Sequence, residues 1–152
     1  MDSAKIVACF ADGRIKKGYT RDFSQNKRIL HIMKKHVGQP MQPEEVNLAD
    51  LKAVFFVKTF AGDPDYTERN EVAAGDSPKG QKVEIAFADG EILQGSVFKY
   101  RRQETGFFFF PVDPKSNNLT LFVVNAAVKK FRYLRSYSIT SPGKINYNCL
   151  MP

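Results

Sequence analysis

The sequence predicts an all-β protein made of two fused five-stranded barrels, with little helix. Three observations predict this fold: short runs of alternating apolar residues, tight-turn dipeptides between them, and recurrence of the pattern at an offset of 77 positions. Phe-Ala-Asp-Gly at 10–13 returns at 87–90, and Ala49 and Leu51 match Ala126 and Val128 at the far ends. A constant offset over about fifty positions indicates that one unit was duplicated with its loops intact.

The repeat divides the chain into four segments. Residues 1–60 are the first repeat, 61–80 an acidic linker rich in Gly and Pro, and 81–135 the second repeat. Residues 136–152 form a tail without a counterpart, in which 137–140 could add one edge strand. Because a unit of about 60 to 75 residues has a marginal core, we expect the two repeats to pack on each other.

Each repeat reads as five strands in order. The first, 5–10 and its copy, alternates with period two, which is typical of a strand with one face on a core. The second spans about 14–23 and 91–100, and the third about 28–33 and 106–112. The third strand of the second copy contains four consecutive Phe, which favours burial on both faces. A short fourth strand (45–48 and 119–124), a one-turn link and a fifth strand (52–58 and 129–135) complete each repeat.

Both copies have the same residue types at the positions where we expect turns and bends. Asp-Gly dipeptides favour tight hairpin turns because Gly accepts positive φ. A Gly inside the second strand indicates a sharp bend or the close approach of another backbone. The six residues concerned are Asp12, Gly13, Gly18, Asp89, Gly90 and Gly95.

The spacing Asp-Gly-x-x-x-x-Gly, with an aromatic residue five positions on, resembles the first motif of the Sm-like family of small SH3-like barrels. It runs from Asp12 to Phe23 and again from Asp89 to Tyr100. In that family an Asp after the aromatic residue and an Asn before the third strand hold a uridine base. Here those positions are occupied by Ser24 and Arg28, then by Arg101 and Thr105, and the family's second Arg-Gly motif is absent. The resemblance implies the barrel fold and RNA as a ligand class. The chain is also similar to an uncharacterised bacterial family of tandem domains, some of which occur beside signalling modules.

Charge is the best functional lead. The net charge of +7 comes from two basic repeats on either side of an acidic joint, since residues 41–78 carry three Lys/Arg against eight Asp/Glu. Lys and Arg neutralise phosphates, and aromatic faces can stack bases. The predicted nucleic-acid or polyanion surface consists of Arg14, Lys16, Lys17, Lys27, Arg28, Arg101, Arg102, Lys129 and Lys130. A solvated outer face explains the same charges without a ligand.

Two function hypotheses follow. The first is a non-catalytic Sm-like module that binds RNA or another polyanion. The alternative is a protein-interaction or regulatory module of bacterial signalling that binds no nucleic acid. Open edges at strands four and five also predict edge-to-edge pairing, either between the two fused halves or between chains that continue the pattern into a ring, with self-association through strand edges favoured over a lone monomer.

Catalytic and metal chemistry find little support in the sequence. His31 and His36 are five apart, Cys9 and Cys149 lack ligand spacing, and the linker carboxylates lack a calcium-loop pattern. We therefore expect no enzyme activity, no metal and no cofactor. Two cysteines and the absence of a long apolar stretch predict a reduced thiol at Cys9, a cytoplasmic location and no membrane association.

Overall fold

The computed structural model describes residues 3–34, 42–73, 75 and 80–134, which fold into ten strands and two single-turn 3-10 helices. The strands are β1 (Ala4–Phe10), β2 (Ile15–Thr20), β3 (Ile29–Met33), β4 (Pro43–Asn47), β5 (Leu51–Val57), β6 (Gln81–Phe87), β7 (Ile92–Val97), β8 (Gly106–Pro111), β9 (Asn118–Val124) and β10 (Val128–Tyr133). The helical turns are η1 (Leu48–Asp50) and η2 (Asn125–Ala127). The all-β prediction is confirmed.

All ten strands belong to one antiparallel sheet, in the order β10-β6-β7-β8-β9-β5-β1-β2-β3-β4. The sheet is not closed, and its strand pairing does not separate it into two five-stranded barrels as the sequence predicted. The reason is the pairing of β5 with β9, which runs from Ala53–Val123 to Val57–Asn118 and joins the two halves. The strands of the second half nevertheless begin and end within two residues of positions 77 after their counterparts.

The first strand is buried on both faces, which the sequence analysis missed. Ile6, Ala8 and Phe10 point into one core, while Val7 and Cys9 point into another. The alternating pattern predicts one buried and one exposed face. In the folded chain the second half covers the other face of β1, so small and apolar residues are needed on both sides.

Two cores lie on opposite faces of the central strands. One is formed by the first half together with Phe122 and Val124 of β9. The other is formed by the second half together with residues of β1 and with Ala53, Phe55 and Val57 of β5. Strands β5 and β9 therefore alternate their side chains between the two cores, which ties the halves together through apolar burial.

The glycines of the second strands lie where another chain segment passes very close. A Cβ at Gly18 would be 2.5 Å from Ile32 Cγ2, and one at Gly95 would be 2.3 Å from the Phe110 carbonyl oxygen. Among the described residues, β2 pairs with β3 at Tyr19 and Met33, directly beside Gly18. Gly13 and Gly90 take φ values of +94° and +96° in the two Asp-Gly turns.

The four consecutive Phe of β8 are not buried equally. Phe107 and Phe109 are each 2% exposed, whereas Phe108 and Phe110 are half-buried. Phe108 packs against Phe23 and Phe122 at the seam between the halves. The expected burial on both faces of this strand is therefore incomplete.

The described part of the linker is fastened to the second half. The Tyr66 hydroxyl and the Arg69 backbone N–H both donate to the Asp113 carboxylate, and Asn70 Nδ2 donates to the Ile92 carbonyl. These bonds lay residues 66–72 over β7 and the loop after β8. The expected edge strand at 137–140 lies outside the described residues.

Cys9 is 1% exposed and is disulfide-bonded, so the expected reduced thiol is wrong. The other cysteine of the sequence, Cys149, lies outside the described residues.

Candidate functional site

An open groove of about 630 Å³ lies where β10 meets η2 and the loop between β7 and β8. Three of the nine predicted basic residues line it, and we call it the basic groove. Its charged and aromatic lining consists of Tyr100, Arg102, Glu104, Lys129, Lys130 and Phe131.

The loop that presents Arg102 is held in place by η2. Asn125 Nδ2 donates to the carbonyl oxygens of Arg101, at 3.1 Å, and of Glu104, at 2.8 Å. The Asn125 backbone N–H donates to the Thr105 carbonyl at 2.9 Å. Because three hydrogen bonds converge on one residue, the loop has a defined shape against the start of β10.

Aromatic rings form the base of the basic groove. Tyr100 and Phe131 are stacked, with ring centroids 3.7 Å apart and an interplanar angle of 6°. Phe107 meets Tyr100 edge-on from the core side, at 5.0 Å, and Tyr133 meets Phe131 edge-on at 5.2 Å. The aromatic surface is therefore rigid, and Tyr133 is 52% exposed at its margin.

The cations of the basic groove are exposed. Within the described residues, Arg102 and Lys129 form no ion pair. Lys130 lies near Glu84, which is paired with Arg132 at 2.6 Å. Although burial opposes the shift, the hydrogen bond from Arg132 holds the pKa of Glu84 below its usual value. Two cations are thus available to an incoming anion, and a third is partly shared.

The basic residues predicted on the second strand lie in β2 or just before it, in the other half of the sheet, and are engaged locally. Arg14 pairs with Asp12 at 2.8 Å, Lys16 pairs with Glu44, and Lys17 Nζ donates to the Phe60 carbonyl. The described contacts do not bring these cations together with the basic groove.

The other three predicted basic residues occupy loops. Lys27 and Arg28 are exposed before β3, and Arg101 is exposed beside Arg102 but does not line the groove. The nine residues therefore form separate clusters rather than one surface.

A buried charge cluster links the two halves and was missed by the sequence analysis. Lys52 Nζ on β5 bonds Asp89 at 2.7 Å and Glu91 at 2.6 Å, and it lies 4.5 Å from the centre of the Phe87 ring. The side chains of Lys52 and Glu91 are each 5% exposed, whereas that of Asp89 is 50% exposed. Burial raises the pKa of Glu91. For Asp89, burial is outweighed by its bonds to Lys52 and to the Glu91 backbone N–H, which lower its pKa.

The geometry of this cluster suits a structural role. A cavity of only about 20 Å³ adjoins Glu91, which is room for about one water molecule. Comparison of the two copies could have indicated this charge cluster. Glu91 stands at the position equivalent to Arg14 of the first copy, beside an otherwise equivalent Asp-Gly turn.

A second charged cluster surrounds His31. Its Nδ1 lies 2.6 Å from Asp22, and its Nε2 lies 3.5 Å from Glu45. The hydrogen bond to Asp22 is the main cause that raises the pKa of His31. Among the described residues, no group of three or more His, Cys, Asp or Glu side chains is arranged to hold a metal ion.

A second groove, of about 490 Å³, lies between the linker and the β8–β9 connection. Asn118 Oδ1 is buried at this groove without a hydrogen-bond partner among the described residues. Leu119 lines the groove and is 58% exposed, and Phe98, 68% exposed, packs edge-on against the lining residue Phe110.

Fold and site define an all-β protein of two similar halves, with a basic, aromatic groove at one end of its sheet. Comparison with protein-family models shows that the chain belongs to a family of unknown function, DUF6982, whose model matches residues 2–135. Neither curated proteins nor solved structures gave a significant match. No helix among the described residues is long and apolar enough to cross a membrane.

Proposed function

We propose that the chain is a pair of fused Sm-like barrels that acts as a non-catalytic binding module for single-stranded RNA or a similar polyanion. The binding site in this proposal is the basic groove. It offers cations for phosphates and ring surfaces for bases, which is the combination used by proteins that bind single strands without sequence preference.

One observation carries the proposal: Arg102, Lys129 and Lys130 line the same groove as the stacked pair Tyr100 and Phe131. Charge alone supports non-specific binding of polyanions but does not define a site. Cations beside partly exposed aromatic rings are more specific, because stacking contributes about 1–3 kcal/mol per base in addition to the phosphate contacts.

The tandem-barrel part of the proposal rests on the strand order. Within each half the order is the same, β5-β1-β2-β3-β4 and β10-β6-β7-β8-β9, and the bends occur at Gly18 and Gly95. Equal order, equal bends and strand bounds offset by 77 support two copies of one ancestral unit.

A protein-binding role is the second candidate. It is supported by the exposed Phe98 and Leu119 beside the second groove and by the missing base-pocket residues of the Sm-like pattern. Exposed apolar side chains gathered at a groove mark interaction sites more often than scattered ones do.

Fluorescence anisotropy with a labelled single-stranded RNA tests the first proposal. If about three cations contact phosphates, affinity should fall with a log–log salt slope of about −2, or roughly 20-fold between 50 and 200 mM salt. The variant Arg102→Glu/Lys129→Glu should bind much more weakly and should show a shallower slope.

The matched control is Lys27→Glu/Arg28→Glu, which changes the net charge equally but alters a loop outside the basic groove. This control should retain most of the affinity. Absence of binding at low salt, or equal loss in both variants, would contradict the proposal. Phe98→Ser/Leu119→Ser should leave RNA binding unchanged.

A further inference from the structure

One acidic side chain lines the basic groove. Glu104 lies on the loop between β7 and β8, which also supplies Arg102 to the lining. The start of β10 supplies Lys129 and Lys130 to the same groove. Because like charges repel, a carboxylate at this place is unfavourable for a groove that holds phosphates alone.

The Glu104 carboxylate is available to a ligand. The residue is exposed, and its side chain forms no ion pair within the part of the chain that the structure describes. Arg102 is only two positions away but does not neutralise it. The groove therefore has a free pair of acceptor oxygens in addition to its cations.

The backbone that carries this carboxylate is fixed. The Glu104 N–H donates to the Arg101 carbonyl at 3.2 Å, and the Glu104 carbonyl accepts from Asn125 Nδ2 at 2.8 Å. The next carbonyl, that of Thr105, accepts from the Asn125 backbone N–H at 2.9 Å. An acceptor on a backbone that is already ordered loses less freedom when a ligand binds, which favours a specific contact.

A pair of carboxylate oxygens matches guanine better than the other RNA bases. Guanine carries N1–H and the N2 amino group side by side on its Watson–Crick edge, and both can donate to one carboxylate. Adenine and cytosine present a single amino group on this edge, and uracil presents a single N3–H. Since the bases of single-stranded RNA expose this edge to a protein, only guanine can form two parallel hydrogen bonds with Glu104.

We propose that Glu104 makes the basic groove selective for guanine in single-stranded RNA, an inference that rests on the RNA-binding function proposed above. The carboxylate accepts from N1–H and the N2 amino group of a guanine that stacks on the rings of Tyr100 and Phe131. Lys129 and Lys130 contact the phosphates. The preferred base thus differs from the uridine of the Sm-like pattern, whose base-holding Asp and Asn are absent here.

The preference should have a defined size and little dependence on salt. A bidentate contact to a base edge discriminates against the wrong base by roughly 5- to 150-fold in affinity. Stacking and phosphate contacts are open to all four bases, so they add affinity without adding preference. Rising salt should therefore weaken binding of every RNA while the ratio between the guanine RNA and the others is retained.

Fluorescence anisotropy of the full chain with uridine-rich single-stranded RNAs that differ at one central base tests the inference. The RNA with a central guanine should bind roughly 5- to 150-fold more tightly than the all-uridine RNA. An RNA with inosine at that position keeps N1–H but lacks the N2 amino group, and it should lose most of this advantage. The inosine comparison uses only the native chain, so it does not depend on the folding of a variant.

The variant Glu104→Gln tests the assigned residue. Its carboxamide turns a donor towards one of the two guanine donors, so the guanine RNA should bind no more tightly than the all-uridine RNA. The affinity for the all-uridine RNA should be retained or rise, because a negative charge has left a groove that holds phosphates. Glu71→Gln is the matched control, since it makes the same change at an exposed linker residue outside the groove lining and should keep the guanine preference.

The results separate this inference from the proposed function. Equal affinity of the native chain for the guanine and all-uridine RNAs would overturn the inference and leave RNA binding intact. A guanine preference that survives in Glu104→Gln would also overturn it, because another group would then read the base. Absence of binding to every RNA at low salt would refute the proposed function itself, and the guanine preference with it.

Discussion

Replacing Lys52 with Met should strongly destabilise the protein at neutral and alkaline pH. Lys52 is the cation that neutralises Glu91, and both side chains are 5% exposed. Met keeps the apolar stem and its packing against Phe87 but removes the ammonium group. Glu91 would then be a buried carboxylate with the like charge of Asp89 beside it.

Removing one partner from a buried ion pair costs about 3–5 kcal/mol, because the remaining charge is left without compensation. For a chain of this size, that loss should lower the melting temperature by roughly 6–20 °C. The half-exposed Asp89 also loses its bond to Lys52, but water replaces much of that interaction, so it adds little.

The penalty should depend on pH in a definite direction. Burial already raises the folded-state pKa of Glu91, so the native state favours the protonated carboxyl. The stability that this protonation contributes is lost as pH rises through the raised pKa. Without Lys52 the pKa should rise further. The difference in stability between the native chain and Lys52→Met should therefore shrink as pH is lowered towards 5.

Urea unfolding of the native chain and of Lys52→Met at pH 5 and pH 8 measures this difference. The double variant Lys52→Met/Glu91→Gln is the control and should recover much of the loss at pH 8, because the buried charge has been removed. A loss below about 1 kcal/mol at pH 8, or an equal loss at both pH values, would show that the cluster is solvated and that this reasoning is wrong.

Two further predictions concern single side chains. Gly95→Ala should cost about 1–3 kcal/mol or more in urea unfolding, since its Cβ would lie 2.3 Å from backbone, whereas Gly75→Ala, with open space around it, should be nearly neutral. His31→Gln should lose more stability at pH 5.5 than at pH 9, because the stabilisation from a raised histidine pKa is present below the ordinary value and is lost as pH rises through the raised one. A pH-independent difference for His31→Gln would count against the bond between His31 and Asp22.

The repeat gave most of the secondary structure from sequence alone. Alternation and Asp-Gly turns predicted ten strands in the right order, and strand bounds were mostly within two residues. Open edges at strands four and five predicted that the fused halves could pair edge to edge, as β5 and β9 do. Local patterns could not predict the register of this joint, from Ala53–Val123 to Val57–Asn118, because strand pairing between halves depends on contacts far apart in sequence. For the same reason the sequence did not predict that β1 is buried on both faces. Val7 and Cys9 lie on the face that an ordinary edge-of-core strand exposes to solvent, but here they are in a core.

The candidate site was predicted in composition but not in location. The sequence supplied nine basic residues, and the fold gathers only three of them, because the loops and strand ends that carry the others lie elsewhere. Ion pairing also depends on the fold. Lys16 and Arg14 are paired with acidic partners, and the spacing of residues in the sequence does not predict these pairs.

The contrast between Lys52 and Lys129 shows how equivalent positions in the two halves come to have different surroundings. The two lysines occupy equivalent positions, 77 apart, at the start of β5 and of β10. Strand β5 is joined to the second half, so Lys52 is covered by the β6–β7 turn and must be neutralised by Asp89 and Glu91. Strand β10 has no such neighbour among the described residues, and Lys129 stays exposed in the basic groove. The same residue type is thus buried and paired at the joined edge and exposed at the other, so the position of the joint determines which of the two lysines must be neutralised within the chain.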